Sequence, residues 1–289
     1  MTKLLRLLTE ACTTAGDVVL GDYRSSHNEV SIHVKDPTDP RTIVNAADIA
    51  SEQAIVSVLQ RRLSCTFLSE ELGETFVNGP SQYRVIVDPL DGSKNFAQHS
   101  LGLFGISVGV EKAGHLFAGA IYLPYFQELL LAERGRGVYF GILESSRNIQ
   151  FHSLDLAMVT SSEFPLNRAR ISIARGAAPP SILSRPPITT LLGSCNESIN
   201  YASCSVGLAS VALNRIDALV LPSQKYWDIA AGVVILQELA FSVGIWRNEW
   251  RDEIDDADLA CAGASDCFDI VAAGNSDLFN QIVSVLQMR

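Results

Sequence analysis

The sequence predicts a layered α/β or α+β fold, and three observations carry that expectation. Segments with helically spaced apolar residues alternate with short β-branched runs in both halves of the chain. The length, 289 residues, suits two domains or one large unit at roughly 150 residues per domain. Apolar residues make up 47% and charged residues 19%, which supplies a core and excludes wholesale disorder.

Residues 4–23 place Leu4, Leu7, Leu8, Ala11 and Val18 at helical spacing. Residues 35–40 hold Pro37 and Pro40 and read as a loop. Residues 47–63 restore a 3.6 period through Ile49, Ala54, Ile55, Val58 and Leu59, a second helix. Cys65–Ser69 is a short strand ending on Glu70-Glu71, and residues 85–87 are another, ending on Asp88-Pro89. Residues 103–122 read as strand, turn and strand, with Lys112-Ala113-Gly114 as the turn. Residues 127–132 and 137–140 are strands around Arg134-Gly135. Residues 156–185 mix a strand, a polar stretch and Pro179-Pro180. With Pro186-Pro187 following, the composition shift divides the chain into 1–185 and 186–289. Beyond it come a helix (205–213), a strand (218–221), a buried helix (229–238), a strand (270–272) and a helix (277–286). No internal repeat is visible.

Composition excludes several classes of function. Lys and Arg number 22 against 32 Asp and Glu, a net charge of −10, which argues against a nucleic-acid surface. No apolar run approaches the roughly 18 residues of a membrane span. The opening Met1-Thr2-Lys3-Leu4-Leu5-Arg6 lacks an apolar signal core, so a secretory leader is not expected. The six cysteines form no Cys-x-x-Cys pair, and the five histidines show no ligand spacing. Reduced thiols in a cytoplasmic protein are the expectation.

The informative residues are acids where regular elements meet loops. Glu70 and Glu71 follow one strand, Asp88 and Asp91 flank Pro89-Leu90 after another, and Asp228 opens a helix after Trp227. In Asp88-Pro89-Leu90-Asp91-Gly92-Ser93, Pro89 fixes one backbone angle and Gly92 permits a tight turn, so two carboxylates and the carbonyl between them can converge. All-oxygen ligands of this kind suit Mg²⁺ better than zinc. Taken singly, each feature also fits a turn or a helix cap; the combination is what carries weight.

Ser69-Glu70-Glu71, the run from Asp88 to Phe96, and Trp227-Asp228-Ile229-Ala230-Ala231-Gly232 together resemble the inositol monophosphatase superfamily in order and spacing. Asn45-Ala46-Ala47-Asp48, followed by Glu52, resembles its upstream Thr-x-x-Asp segment. Gly135-x-Gly137-Val138-Tyr139 resembles its mid-chain glycine turn. The resemblance implies an α+β fold, a layered αβαβα sandwich of the inositol monophosphatase and fructose-1,6-bisphosphatase type. It implies Mg²⁺-dependent hydrolysis of a small phosphate monoester by metal-activated water. By carry-over, Glu70, Asp88 and the Leu90 carbonyl would hold one Mg²⁺, and Asp88, Asp91 and Asp228 a second. A third, weaker ion would use Glu70 and waters. Ser93 would pair with Asp48 and, with Glu70, orient the attacking water. Asp91, Gly92, Ser93, Ser203, Cys204 and Asp228 would meet the substrate. Lithium sensitivity and homodimerisation are expected on the same basis, while the absence of nucleic-acid and membrane partners is expected from the negative charge and the lack of a long apolar run.

The substrate end departs from the pattern. Ala202-Ser203-Cys204-Ser205 resembles a Gly-Ser/Thr-Ala segment, with Ala202 where Gly is usual. Leu221, seven residues before Asp228, stands where inositol monophosphatases place a Glu for an inositol hydroxyl, so Leu221→Glu is expected to favour inositol 1-phosphate. Lys94 matches relatives that act on 3′-phosphoadenosine 5′-phosphate, and Leu239-Ala240-Phe241 replaces Ala-Gly-Gly. An inositol or sugar phosphate leads as the substrate class. A 3′-phosphoadenosine 5′-phosphate phosphatase, a histidinol-phosphate phosphatase and a catalytically silent relative are the alternatives.

Overall fold

The computed structural model describes residues 1–25, 32–36, 39–77, 81–145, 148–155, 165–174, 185–247, 253–255, 259 and 262–288. Five layers stack in the order helix, sheet, helix, sheet, helix, matching the expected αβαβα sandwich.

The outer helical layer is α1 (Lys3–Ser25) and α2 (Ala46–Leu59). It covers an eight-stranded sheet made of β3 (Cys65–Ser69), β4 (Gly73–Val77), β5 (Tyr83–Asp91), β6 (Gly105–Lys112), β7 (His115–Leu123), β8 (Glu128–Glu133), β9 (Val138–Ser145) and β10 (Asn148–Leu154), ordered β10-β9-β8-β7-β6-β5-β3-β4. A separate hairpin pairs β1 (Ile32–Asp36) with β2 (Asp39–Asn45). The loop expected over 35–40 is therefore mostly strand: Pro40 lies within β2, and only residues 37–38 fall outside the described chain.

Beta alternation divides β5 between two cores. Val85 and Val87 join the α1–α2 core with Leu8, Ala11, Ile55 and Phe67, while Ile86 joins the central core. That central core packs the sheet against α5 (Cys204–Ala212) and α6 (Tyr226–Glu238). The helix approaches closely because Gly119 has no side chain: a Cβ there would lie 2.4 Å from the Ala231 carbonyl oxygen.

Behind α5 and α6 lies a six-stranded sheet of β11 (Arg170–Ile173), β12 (Glu197–Ile199), β13 (Ala218–Lys225), β14 (Ser242–Trp246), β15 (Glu253–Ile254) and β16 (Cys267–Ala273), ordered β12-β11-β13-β16-β14-β15. Its far face packs Ile171, Val220 and Val271 against α4 (Pro186–Ser194) and α7 (Ser276–Leu286). A five-residue helix, α3 (Ser93–Ala97), follows β5. Because β11 already belongs to the second sheet, the sheets change between Leu154 and Arg170, upstream of a 185/186 division. Residues 156–164 and 175–184, with Pro179-Pro180, lie outside the described chain, as do Cys261 and His27. Among the described residues, Cys12, Cys65, Cys195, Cys204 and Cys267 are free thiols, and no helix is long and apolar enough to cross a membrane.

Candidate active site

Strand β5 continues through Asp88 to Asp91 instead of ending in a turn at Asp88. It pairs with β6 at Asp88↔Ser107 and Asp91↔Gly105, with an irregularity between them. That irregularity lets both carboxylates leave the strand near one point. The turn comes one residue later, at Gly92, whose φ of 85° is left-handed and whose Cβ would stand 2.8 Å from the Leu103 carbonyl oxygen. Only glycine fits there.

Five acids from four segments share this neighbourhood: Asp48 on α2, Glu70 after β3, Asp88 and Asp91 on β5, and Asp228 on α6. Asp88 is buried, and its carboxyl is pushed well above the ordinary aspartate range. Burial is the largest cause, followed by repulsion from Glu70, Asp91, Asp228 and Asp48. Asp228 moves in the same direction, through burial and then Glu70 and Asp91, opposed by Lys225. Its Oδ2 accepts the Lys225 N–H at 2.8 Å, which fixes it in the first turn of α6.

The other contacts order the frame. Ser93 Oγ lies 2.8 Å from both Asp48 Oδ1 and the Leu90 carbonyl oxygen, so its single proton serves one of them at a time. Asp91 Oδ2 accepts from Ser203 Oγ at 2.5 Å, Ser205 Oγ at 2.5 Å and Ser205 N–H at 2.6 Å, tying β5 to the start of α5. Asn95 Nδ2 donates to the Leu103 and Tyr201 carbonyls, at 2.7 and 2.8 Å.

Among the described residues no three acid, His or Cys side chains are already drawn into a closed metal cage. The donor set nonetheless fits a hard cation. It is all oxygen, and it leaves a buried Asp88 facing repulsion that a bound cation would relieve.

The chain matches the inositol monophosphatase family over residues 1–266. It belongs to that family. The inositol-1-monophosphatase of Mesorhizobium japonicum is 30% identical over 237 residues, covering 81% of this chain and 82% of that protein. The Nus factor SuhB of Pasteurella multocida is 28% identical over 240 residues, covering 82% and 83%. The crystal structure of the extragenic suppressor protein suhB from Bartonella henselae superposes with a TM-score of 0.79 at 25% identity, covering 99% of each chain. The inositol monophosphatase family is metal-dependent, and the chain is a phosphoric monoester hydrolase by class.

Sequence reasoning placed Ser203 and Cys204 against the substrate. Ser203 Oγ is hydrogen-bonded to Asp91 Oδ2, and Cys204 Sγ donates to Gln224 Oε1 at 2.7 Å. Cys204 still lies beside the acids: its thiol is pushed up by burial and then by Asp228, Asp91 and Asp88. Leu221 is a correction. It is fully buried in the central core, paired with Ile270 across β13 and β16, and offers no wall for a leaving group. Ala202 and Ala240, at positions where the resemblance leads one to expect glycine, hold left-handed φ values of 50° and 55°. The sequence assigns no role to Ser51, Glu52, Asn95 or Ser205. Ser51 and Glu52 were detectable as polar residues on the buried face of α2, while Ile49 on the expected apolar face is 46% exposed.

Proposed function

We propose that this chain hydrolyses a small soluble phosphate monoester, of the inositol or sugar phosphate class, using Mg²⁺ ions. Glu70, Asp88, the Leu90 carbonyl, Asp91 and Asp228 would hold them. The observation that carries the reading is the convergence of acids from four chain segments on the buried carboxyl of Asp88. Bound divalent ions supply charge neutralisation and a lowered pKa for water.

The chain's own residues do the orienting. With its proton donated to Asp48, Ser93 Oγ keeps lone pairs that accept a hydrogen bond from the attacking water. Glu70 accepts another, so the water's remaining lone pair faces phosphorus. The N–H groups of Gly92 and Ser93, at the left-handed turn, are the donors for phosphate oxygens. Asp91 on β5 and Asp228 on α6 would border the substrate from two adjacent layers. A net charge of −10 fits a small metabolite better than a nucleic-acid partner.

The test is phosphate release from inositol 1-phosphate, sugar phosphates, 3′-phosphoadenosine 5′-phosphate and histidinol phosphate, with Mg²⁺ and with chelator. Mg²⁺-dependent release from an inositol or sugar phosphate is expected. Preference for the nucleotide would shift the reading to Lys94, which is exposed beside Ser93. Release from none would favour a silent relative.

A further inference from the structure

Helix α2 turns a polar stripe inward. Asp48, Ser51 and Glu52, at i, i+3 and i+4, are each no more than 1% exposed. Asp48 meets Ser93, and Ser51 Oγ donates to the Pro89 carbonyl at 2.6 Å. Glu52 has no part in the proposed chemistry, yet a buried carboxylate is costly unless its acceptors are used.

Those acceptors grip the segment that carries Glu70. Glu52 Oε1 accepts a hydrogen bond from Ser69 Oγ and another from the Leu72 N–H at 3.1 Å. Glu52 Oε2 has no partner among the described residues. The attachment points thus lie one residue before Glu70 and two residues after it. On its other side Glu70 N–H donates to the Val87 carbonyl at 3.1 Å, one residue ahead of Asp88.

We propose that Glu52 is a positioning residue: it clamps residues 69–72 so that Glu70 is held toward Asp88, and cation affinity depends on that clamp although Glu52 touches neither cation nor substrate. The proposal rests on the reading of Glu70 as a ligand. A clamp needs an acceptor oxygen, and a negative charge is not required, so a glutamine retains it while an alanine loses it.

The test is Mn²⁺ binding to the full-length, substrate-free protein, followed by electron paramagnetic resonance, with thermal melts of each variant. Glu52→Ala is expected to weaken Mn²⁺ binding about tenfold, the scale of losing a partner that orients a ligand, with Glu52→Gln within about threefold of the unmodified protein. At saturating Mn²⁺, kcat of Glu52→Ala should recover to within about threefold. Unchanged Mn²⁺ affinity in Glu52→Ala would overturn the proposal, and so would a Glu52→Gln variant as impaired as the alanine. If Glu52→Ala shows no cooperative melt, Ser69→Ala removes a single clamp donor. A loss of about threefold in affinity supports the clamp, and no loss overturns it. Glu70→Gln separates the two levels: undiminished binding there would defeat the ligand assignment itself, whatever Glu52 does.

Discussion

Asp91 shows how one side chain serves fold and site together. Its Oδ2 takes three donors from Ser203 and Ser205, which leaves Oδ1 for the cluster. In Asp91→Asn the amide oxygen can keep the three donors while the ligand charge disappears. Turnover should fall at least ~100-fold with the melting temperature little changed; steady-state kinetics beside a thermal melt checks both. Leu221 gives the opposite lesson. Counting seven residues back from Asp228 finds a family position, but burial on β13 is decided by the twist and register of a sheet that the count does not contain. Leu221→Glu is now expected to destabilise the protein by about 3 kcal/mol or more, because it buries an unpaired carboxylate. Chemical denaturation measures this, and a variant as stable as the parent would restore the pocket reading.

Among the elements, those with a single strong periodicity were legible. Helix α1, the β6–β7 hairpin and α6 stand close to where apolar spacing put them. Elements made by pairing were not. Strands β4 and β10 are exposed or polar on much of their length, and β1 with β2 contains Pro40. Helix α2 was legible as a helix but not in phase, since its buried face carries Asp48, Ser51 and Glu52 in place of aliphatic residues. The same kind of buried polar contact pins α6. Tyr226 Oη donates to Glu111 Oε1 at 2.6 Å, and Arg84 Nη1 lies 3.7 Å from that oxygen, so the helix bearing Asp228 is tied to β6 and β5. Burial pushes the Glu111 carboxyl up, against the lowering effects of Tyr226 and Arg84. Tyr226→Phe should cost about 1–3 kcal/mol by leaving a buried acceptor without its donor. Urea unfolding with an unchanged m-value is the readout.

For the whole molecule, the proposed function has the acid cluster couple stability to pH and to metal. Asp88 and Asp228 have raised carboxyl pKa values in the folded state. Their contribution without metal is therefore fully present below the ordinary carboxyl value of about 3.9 and is lost as pH rises through the raised values. Divalent ions would bind the ionised acids, so their stabilising effect would grow as pH rises. The rise in melting temperature on adding Mg²⁺ to chelator-treated protein should be larger at about pH 7.5 than at about pH 5.5. Asp88→Asn should flatten that difference. At this scale the family resemblance supplied the five-layer architecture, and the acids at element ends could be picked out as candidates. What the linear chain could not show was that Ser203, Ser205 and Asn95 would tie β5 and α3 to the start of α5.

The gathering of cations by these acids is the central claim, and anomalous diffraction from a crystal soaked in Mn²⁺ tests it most directly. Peaks are expected among Glu70, Asp88, the Leu90 carbonyl, Asp91 and Asp228, with oxygens at about 2.0–2.3 Å. A crystal with no peak between those side chains, or with Mn²⁺ bound only elsewhere, would contradict it.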